Sequence, residues 1–301
     1  MSGGSVAIPD DQAFASFKAE CLCDEGWNMT YNKSGVTVWI QSLDEEKSLH
    51  KIKCRMVSND VSAETMYDVL HDTEYRRKWD ASVIETFDIG RLTVNTDVGY
   101  YSWRCPKPLR NRDVVTLRSW LPIGKDYIIM NYSKFPPKKD MVRAVSIQTG
   151  YMIQHQGPNH CVLTYLAQVD PRGSLPKWVV NKSSLFLAPK WLGLSCGPES
   201  PGVQLEPLML LPRGVSPESL LRCSIHQPFR PWAIAMKKIN KACLKYSEWK
   251  QKHNNAYKPW LFPEQTTLPL IALCELSIQH ADSLENIDES SASEAYERDS
   301  D

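Results

Sequence analysis

The chain has 301 residues, of which 42% are hydrophobic, enough for one large domain or two small ones. No apolar run approaches the ~18 residues of a membrane-spanning helix, which argues against an integral membrane protein. The net charge is zero, but nine acidic residues and one arginine lie between Glu275 and Asp301, so the rest carries 34 basic against 26 acidic residues. This asymmetry predicts either an anionic partner such as a phospholipid surface, with the tail as a competitor, or an ordinary domain with a solubilising tail.

Cysteine usage and motif content argue against metal and catalytic chemistry. The nine cysteines follow no metal-binding rhythm, and Cys21 and Cys23 are too closely spaced for a zinc finger. No signal peptide is visible, so we predict free thiols in a cytoplasmic protein without metal or cofactor. The sequence contains no nucleophile elbow, phosphate-binding loop, dinucleotide fingerprint or His-Glu-x-x-His motif, and no basic stripe for nucleic acid. We therefore expect neither an enzyme nor a nucleic-acid-binding protein.

The N-terminal third predicts a helix, two strands and a second helix. Residues 10–23 show helical spacing of apolar side chains, and residues 36–40 form a β-branched run after a Ser-Gly turn. Residues 49–57 alternate, which predicts a strand with one solvated face. That face carries Leu49, Lys51, Lys53 and Arg55. A second helix is predicted to start at Ser62.

The middle of the chain predicts a meander of strands followed by a helix. Short turns of Pro, Gly, Asp and Asn separate the strands, so we expect antiparallel pairing. The predicted strands are Val98–Arg104, Val114–Leu121, Tyr127–Phe135, Val142–Ile153 and His160–Val169. A helix is predicted at residues 176–187, with a proline near its first turn. The order of elements predicts an α+β fold in which a curved antiparallel sheet encloses a cavity.

The C-terminal third predicts an irregular segment, one long helix and a tail. Residues 191–234 are rich in Pro and Gly without a sustained period, whereas residues 235–253 form a clear amphipathic helix. Its apolar stripe is Met236, Ile239, Cys243, Tyr246 and Trp249. Its basic residues are Lys237, Lys238, Lys241, Lys245, Lys250 and Lys252. Either these lysines form a solvated face, or they also contact an anionic membrane.

The acidic tail at residues 270–301 is predicted to be disordered and to contain phosphorylation sites. Ser291 precedes Glu294 by three residues, and Ser283 lies in the same acidic run, a context suited to an acid-directed kinase. Added phosphate would repel anionic lipid. The alternative is a passive tail.

Three motifs together resemble the START lipid-transfer family, in its phosphatidylcholine-transfer subgroup. They are Tyr-Arg-x-x-Trp-Asp at 75–80, Pro-x-Pro-x-x-Asn-Arg-Asp at 106–113 and Pro-x-Trp-Val-Val-Asn at 176–181. The resemblance covers residues 14–190 and 235–249, and it implies a helix-grip fold: a curved antiparallel sheet around a lipid tunnel closed by a C-terminal helix. It thus implies a START domain at 14–253, interrupted by an insertion at 191–234, with a disordered tail at 270–301.

The resemblance also implies a binding site for a phospholipid head group. The family's phosphate-binding arginine and its neighbouring aspartate correspond to Arg76 and Asp80. An arginine fork suits phosphate oxygens. The alternative is a surface i,i+4 ion pair, although arginine before aspartate is the less favourable helical order.

The family's aromatic cage for choline corresponds to Tyr101, Val114 and Tyr151. Tyr101 replaces a tryptophan, and Val114 replaces a tyrosine and cannot act as a cage wall. A weakened cage predicts binding of both phosphatidylcholine and phosphatidylethanolamine. The alternative for Tyr101 and Tyr151 is ordinary core packing.

The family's lid corresponds to the last helix, with residues 106–110 as the candidate gate loop. Lid and membrane contacts are expected from Met236, Lys237, Ile239, Cys243 and Tyr246. The overall expectation is a monomeric cytosolic carrier, peripherally associated with membranes, that moves one glycerophospholipid without bond chemistry. The alternatives are a lipid-sensing scaffold or a splice form in which the 191–234 insertion impairs transfer.

Overall fold

A computed structural model describes residues 7–44, 49–105, 110–133, 141–170, 230–254 and 256–275. The helices are α1 Asp11–Leu22, α2 Ala63–His71, α3 Thr73–Trp79 and α4 Arg230–Gln251. The strands are β1 Asn28–Lys33, β2 Val36–Asp44, β3 Leu49–Ser58, β4 Val83–Thr93, β5 Thr96–Trp103, β6 Arg112–Ile123, β7 Asp126–Ser133, β8 Val142–Arg143, β9 Val145–Gly157 and β10 His160–Asp170. Two short 3₁₀ helices follow, at Pro263–Gln265 and Leu273–Glu275.

The strands form one open sheet in the order β1-β2-β3-β10-β9-β7-β6-β5-β4, with every pairing along this path antiparallel. This confirms the predicted α+β fold, a sheet gripped by a C-terminal helix. The predicted strand 142–153 is in fact two strands, and the first of these, β8, pairs parallel to β6. Two strands were not predicted. Most of β1 is exposed, and three register shifts in β4 break the alternation by which a strand is recognised.

One face of the sheet is covered by α1. Asp10 caps this helix by accepting a hydrogen bond from the Ala13 N–H, and the buried Phe14, Phe17 and Cys21 face the sheet. Gly150 in β9 permits the close approach, because a Cβ there would clash with the Phe17 ring.

The prediction that Lys53 faces solvent is wrong. Its side chain is 0% exposed, because the chain following α1 lies over it. Its Nζ donates to the Cys23 carbonyl at 2.6 Å and to Asp24 Oδ1 at 2.8 Å, and it lies 4.5 Å from the Trp27 ring centroid. The face predicted to be solvated therefore holds a buried cation.

The opposite face of the sheet is covered by α2, α3 and α4. Helix α2 begins where predicted, since Ser62 caps it through the Thr65 N–H. Helix α4 begins at Arg230 instead of 235 and ends at Gln251, so its first turn lies inside the segment predicted as an insertion, and Trp232 there is buried. No helix in the described ranges is long and apolar enough to cross a membrane.

Residues 256–275, which we call the strap, run back from α4 across α2 to the edge of the sheet. Two backbone hydrogen bonds join the strap to Arg91 of β4. The Arg91 N–H donates to the Pro269 carbonyl at 2.9 Å, and the Ile271 N–H donates to the Arg91 carbonyl at 2.8 Å. The first residues of the segment predicted as a disordered tail thus lie along the edge strand.

Several predictions fall outside the described residues. These are the helix at 176–187 with its motif, the gate-loop residues 106–109, the insertion up to residue 229, the rest of the tail, and the serines at its phosphorylation sites, Ser283 and Ser291.

Candidate functional site

The first sequence motif lies on α3, a helix defined by two aspartates. Asp72 accepts a hydrogen bond from the Tyr75 N–H at 2.9 Å and caps the N-terminus. Asp80 is the C-terminal cap, and its own N–H donates to the Arg76 carbonyl at 2.9 Å. Because α3 has only seven residues, its placement depends on these caps and on packing rather than on helix propensity.

Arg76 is half-buried and makes few contacts with protein. Its Cζ lies 5.4 Å from the Trp79 ring centroid, a cation–π distance. Arg76 also approaches Tyr151: burial raises the pKa of Tyr151, and the charge and hydrogen bond of Arg76 oppose that rise. Within the described ranges the guanidinium forms no ion pair, not even with Asp80 four residues on. Most of its five donors are thus free for a ligand.

Asp80 is buried, and its carboxylate accepts hydrogen bonds from two hydroxyl groups. The Tyr101 hydroxyl donates to Asp80 Oδ2 at 3.0 Å, and the Ser82 hydroxyl donates to Oδ1 at 2.7 Å. Burial raises the pKa of Asp80, against the opposing charge of Arg76 and these hydrogen bonds. With an exposure of 1%, the aspartate is not half of a surface ion pair.

The sheet brings three of the predicted site residues to one cavity. Arg76, Tyr101 and Tyr151 line a space of about 70 Å³ beside the polar side chains of Thr73, Asp88 and Arg118. Tyr101 comes from β5 and Tyr151 from β9, so only the folded sheet makes them neighbours.

Val114 and Asp80, the other two predicted residues, are not among those that line the cavity. Val114 is the register partner of Tyr101 and packs in a cluster with Trp103 and Ala144. Asp80 contacts the cavity indirectly, because it accepts a hydrogen bond from the hydroxyl of Tyr101, which lines the cavity.

The sequence analysis did not predict a partly buried charge cluster beside the cavity, in which Asp97 is buried. Arg118 Nε donates to Asp97 Oδ1 at 2.9 Å, and the same guanidinium lies 3.3 Å from Asp88 Oδ1. Burial by itself would lower the pKa of Arg118, but the two carboxylates outweigh it and raise that pKa. Burial raises the pKa of Asp97 to about 6, against the opposing charge and hydrogen bond of Arg118. Charged residues among the apolar positions of β5 and β6 were the available signal.

A second, larger cavity of about 360 Å³ lies between the α2–α3 turn, the ends of β4 to β6 and the strap. His71 lines it and stacks on Trp260 of the strap, with 5.6 Å between ring centroids, while its Nε2 is buried without a hydrogen-bond partner. Burial lowers the pKa of His71 well below 6.5, and the charges of Arg118 and Arg76 lower it further. In the described part of the chain, no cluster of three or more potential metal ligands occurs.

The predicted lid residues are divided between the two sides of α4. Met236, Ile239, Cys243 and Tyr246 are buried in the core that α4 shares with the sheet, α2 and α3, whereas Lys237 is exposed. Lys250 was predicted to lie on a solvated face, but it is buried and its Nζ lies 2.9 Å from Asp72 Oδ2. The prediction was wrong because the α2–α3 turn covers the last turn of α4.

Comparison with known proteins gives a consistent match. The family model described as START domain matches residues 11–189, ending just before the segment predicted as an insertion. The chain is 61% identical over 297 residues to human START domain-containing protein 10, an alignment that covers 97% of this chain and 87% of that protein. It is 26% identical over 203 residues to mouse phosphatidylcholine transfer protein, covering 64% and 94%. The crystal structure of human STARD10 superposes with a TM-score of 0.73 at 59% identity, covering 92% of this chain and 97% of that one.

Proposed function

Because the chain belongs to the START domain family, we propose that it takes one phosphatidylcholine or phosphatidylethanolamine from a membrane and carries it to another without bond chemistry. The observation that carries the proposal is the half-buried guanidinium of Arg76, which forms no ion pair within the described ranges and lies at the cavity lined by Tyr101 and Tyr151. The similarity to a phosphatidylcholine transfer protein supports the same ligand class.

The geometry around Arg76 suits a phosphate ester. A guanidinium presents a planar fork of donors that matches two phosphate oxygens, and removal from bulk water strengthens that contact. Trp79 and Tyr151 orient the guanidinium, and in the part of the chain that the structure describes no carboxylate forms an ion pair with it, so a ligand can supply that negative charge. The phosphate of a glycerophospholipid meets this requirement.

The aromatic groups beside Arg76 suit a cationic head group with loose selectivity. Tyr101 and Tyr151 offer two ring faces to a choline or ethanolamine nitrogen, and the aliphatic Val114 leaves the third side of the cage open. Ethanolamine compensates for weaker cation–π contact by donating hydrogen bonds. We therefore expect both head groups to be accepted.

Lipid occupancy is measured by native mass spectrometry after incubation with mixed liposomes. Wild-type protein gives a one-to-one phospholipid adduct, and Arg76→Ala reduces that adduct about tenfold or more, in keeping with the loss of a charged ligand contact. Lys78→Ala is the matched control, because Lys78 is an exposed cation on the same helix. Wild-type protein without an adduct, or equal loss in both variants, contradicts the proposal.

The same spectra test head-group selectivity. Liposomes with equal amounts of the two phospholipids give adducts of both, within about a factor of ten of each other. An exclusive phosphatidylcholine adduct shows that the cage discriminates without a third aromatic wall, and the dual-ligand proposal then fails.

Carriage requires the fold to open. The cavity of about 70 Å³ is far below the ~300 Å³ or more of pockets that enclose a drug-sized ligand, so two acyl chains need additional space, and we propose that α4 moves as a lid to provide it. We propose that Met236, Ile239, Cys243 and Tyr246 then meet the acyl chains while Lys237 meets anionic lipid. Fast exchange of labelled lipid between vesicles identifies a carrier, whereas binding without exchange identifies a lipid-sensing scaffold.

We also propose that the tail regulates membrane contact through phosphorylation of Ser283 and Ser291. Added negative charge next to an anionic bilayer weakens association. Glutamate substitutions at both serines lower binding to anionic vesicles relative to alanine substitutions, as measured by co-sedimentation. Equal binding of the two forms refutes the regulatory role.

A further inference from the structure

The lid helix and the helix that carries Arg76 meet at one carboxylate. Asp72 Oδ1 accepts the Tyr75 N–H and so caps α3, while its Oδ2 accepts the Tyr246 hydroxyl at 3.0 Å and the Lys250 ammonium at 2.9 Å. Asp72 and Lys250 are both buried, at 5% and 6% side-chain exposure. One side chain thus holds the N-terminus of α3 and the last two turns of α4.

A second contact joins the same two helices beside Arg76. The hydroxyl of Tyr75, which directly precedes Arg76, donates to the Ala242 carbonyl of α4 at 2.8 Å. The Tyr75 ring centroid lies 4.8 Å from that of Trp249. Because Tyr75 and Arg76 are adjacent in a short helix, a movement of α4 removes contacts of the residue next to Arg76.

The strap holds the neighbouring acid of α2. Asp68 lies four residues before Asp72, and its two oxygens accept the Lys258 ammonium at 2.5 Å and the Trp260 indole N–H at 2.7 Å. The Trp260 ring also lies 5.5 Å from the Lys250 ammonium. The strap thus closes over the end of α4 that Asp72 holds.

We propose that Asp72 is a positioning residue that couples the opening of the α4 lid to the loosening of Arg76. We propose further that the strap, through its contacts with Asp68, sets the frequency of this opening. The inference rests on the proposed function. Moving α4 withdraws Lys250 and Tyr246 from Asp72 and Ala242 from Tyr75. Separating a buried ion pair is costly, so the lid stays shut away from a membrane. When it opens, α3 loses the contacts of Asp72 and Tyr75 with α4, its position loosens, and Arg76 releases the phosphate as the acyl chains gain their exit.

Hydrogen exchange distinguishes this coupling from simple stabilisation of α4. The variants are Lys250→Gln, which removes the Asp72 partner, and Lys258→Gln, which touches neither α3 nor α4. Both raise amide exchange about tenfold in residues 73–80 and in residues 242–250, because the two helices open together. Lys252→Gln is the control, since Lys252 directly follows α4 and its ion pair with Glu248 at the end of that helix is exposed. Faster exchange in α4 or the strap with residues 73–80 unchanged overturns the coupling.

Lipid exchange between vesicles gives the functional readout. Lys250→Gln and Lys258→Gln exchange phosphatidylcholine about three- to tenfold faster than wild type, since such changes act mainly on the rate of release. Lys252→Gln exchanges at the wild-type rate. If wild-type protein binds no lipid, the proposed function fails, while the hydrogen-exchange result still decides whether α3 and α4 are coupled. Bound lipid with unchanged exchange in both variants overturns the inference.

Discussion

Two cations on opposite faces of the sheet show how differently a positive charge can be held. Lys53 is completely buried, with a carboxylate, a carbonyl and the rings of Trp27 and Trp39 around its ammonium group. Arg76 is half-buried and has one aromatic ring and one tyrosine, with no carboxylate in ion-pair contact within the described ranges. A cation whose donors are all used inside the protein serves the fold, whereas a cation with free donors at a cavity is available to a ligand.

Removing the two cations tests this contrast, and it carries the largest expected effect. Lys53→Ala lowers the free energy of unfolding by about 3 kcal/mol, because it leaves a cavity between two indole rings and takes a partner from Asp24. Arg76→Ala changes the same quantity by less than about 1 kcal/mol, because few protein contacts are lost. Urea unfolding measures both. Equal losses of stability mean that Arg76 is a structural residue, and the proposed difference between Lys53 and Arg76 is then wrong.

His71 extends the comparison to a base buried without a partner for its Nε2. Its folded-state pKa lies well below the ordinary 6.5, so the unfolded chain takes up the proton first as the pH falls. Stability is therefore full above pH 6.5 and declines below it, by up to about 1.4 kcal/mol per pH unit. The measurement is urea unfolding of wild type and His71→Gln between pH 7 and 5. In His71→Gln the free energy of unfolding declines less steeply as the pH falls. Identical pH dependence in the two proteins contradicts the attribution of this decline to His71.

The smallest expected effect separates the ring of Tyr101 from its hydroxyl. Tyr101→Phe removes the hydrogen bond to Asp80, which keeps Ser82, and lowers the free energy of unfolding by about 1 kcal/mol. The ring face remains, so phosphatidylcholine occupancy is retained. Tyr100→Phe is the control, since it removes the adjacent tyrosine hydroxyl, which lies 3.7 Å from the Met141 sulfur. Loss of bound lipid in Tyr101→Phe alone shows that the hydroxyl, through Asp80, is needed by the ligand.

The elements with a regular local pattern could be predicted from sequence. Helix α1 was predicted at 10–23 from apolar side chains that include Phe14 and Phe17, and the structure buries both in a helix at Asp11–Leu22. Strand β4 was missed because its bulges interrupt the alternation. The site was identified through the motif at 75–80, whereas its neighbours Arg118 and Asp97 carried no comparable signal. Tyr101 and Tyr151 are fifty residues apart, and no local pattern relates them.

The amino-acid sequence by itself determined where the apolar stripe of α4 lies, that the strands pair mainly antiparallel and where acidic charge accumulates. These properties follow from residue spacing and composition, which are local. Only the tertiary structure decided which cations are buried. Lys53, Lys237 and Lys250 all occupy polar positions of regular patterns, yet the segment after α1 covers the first, Asp72 binds the third, and the second stays in solvent. Burial depends on which distant segment packs over a residue, and that information is not contained in its own neighbourhood of the chain.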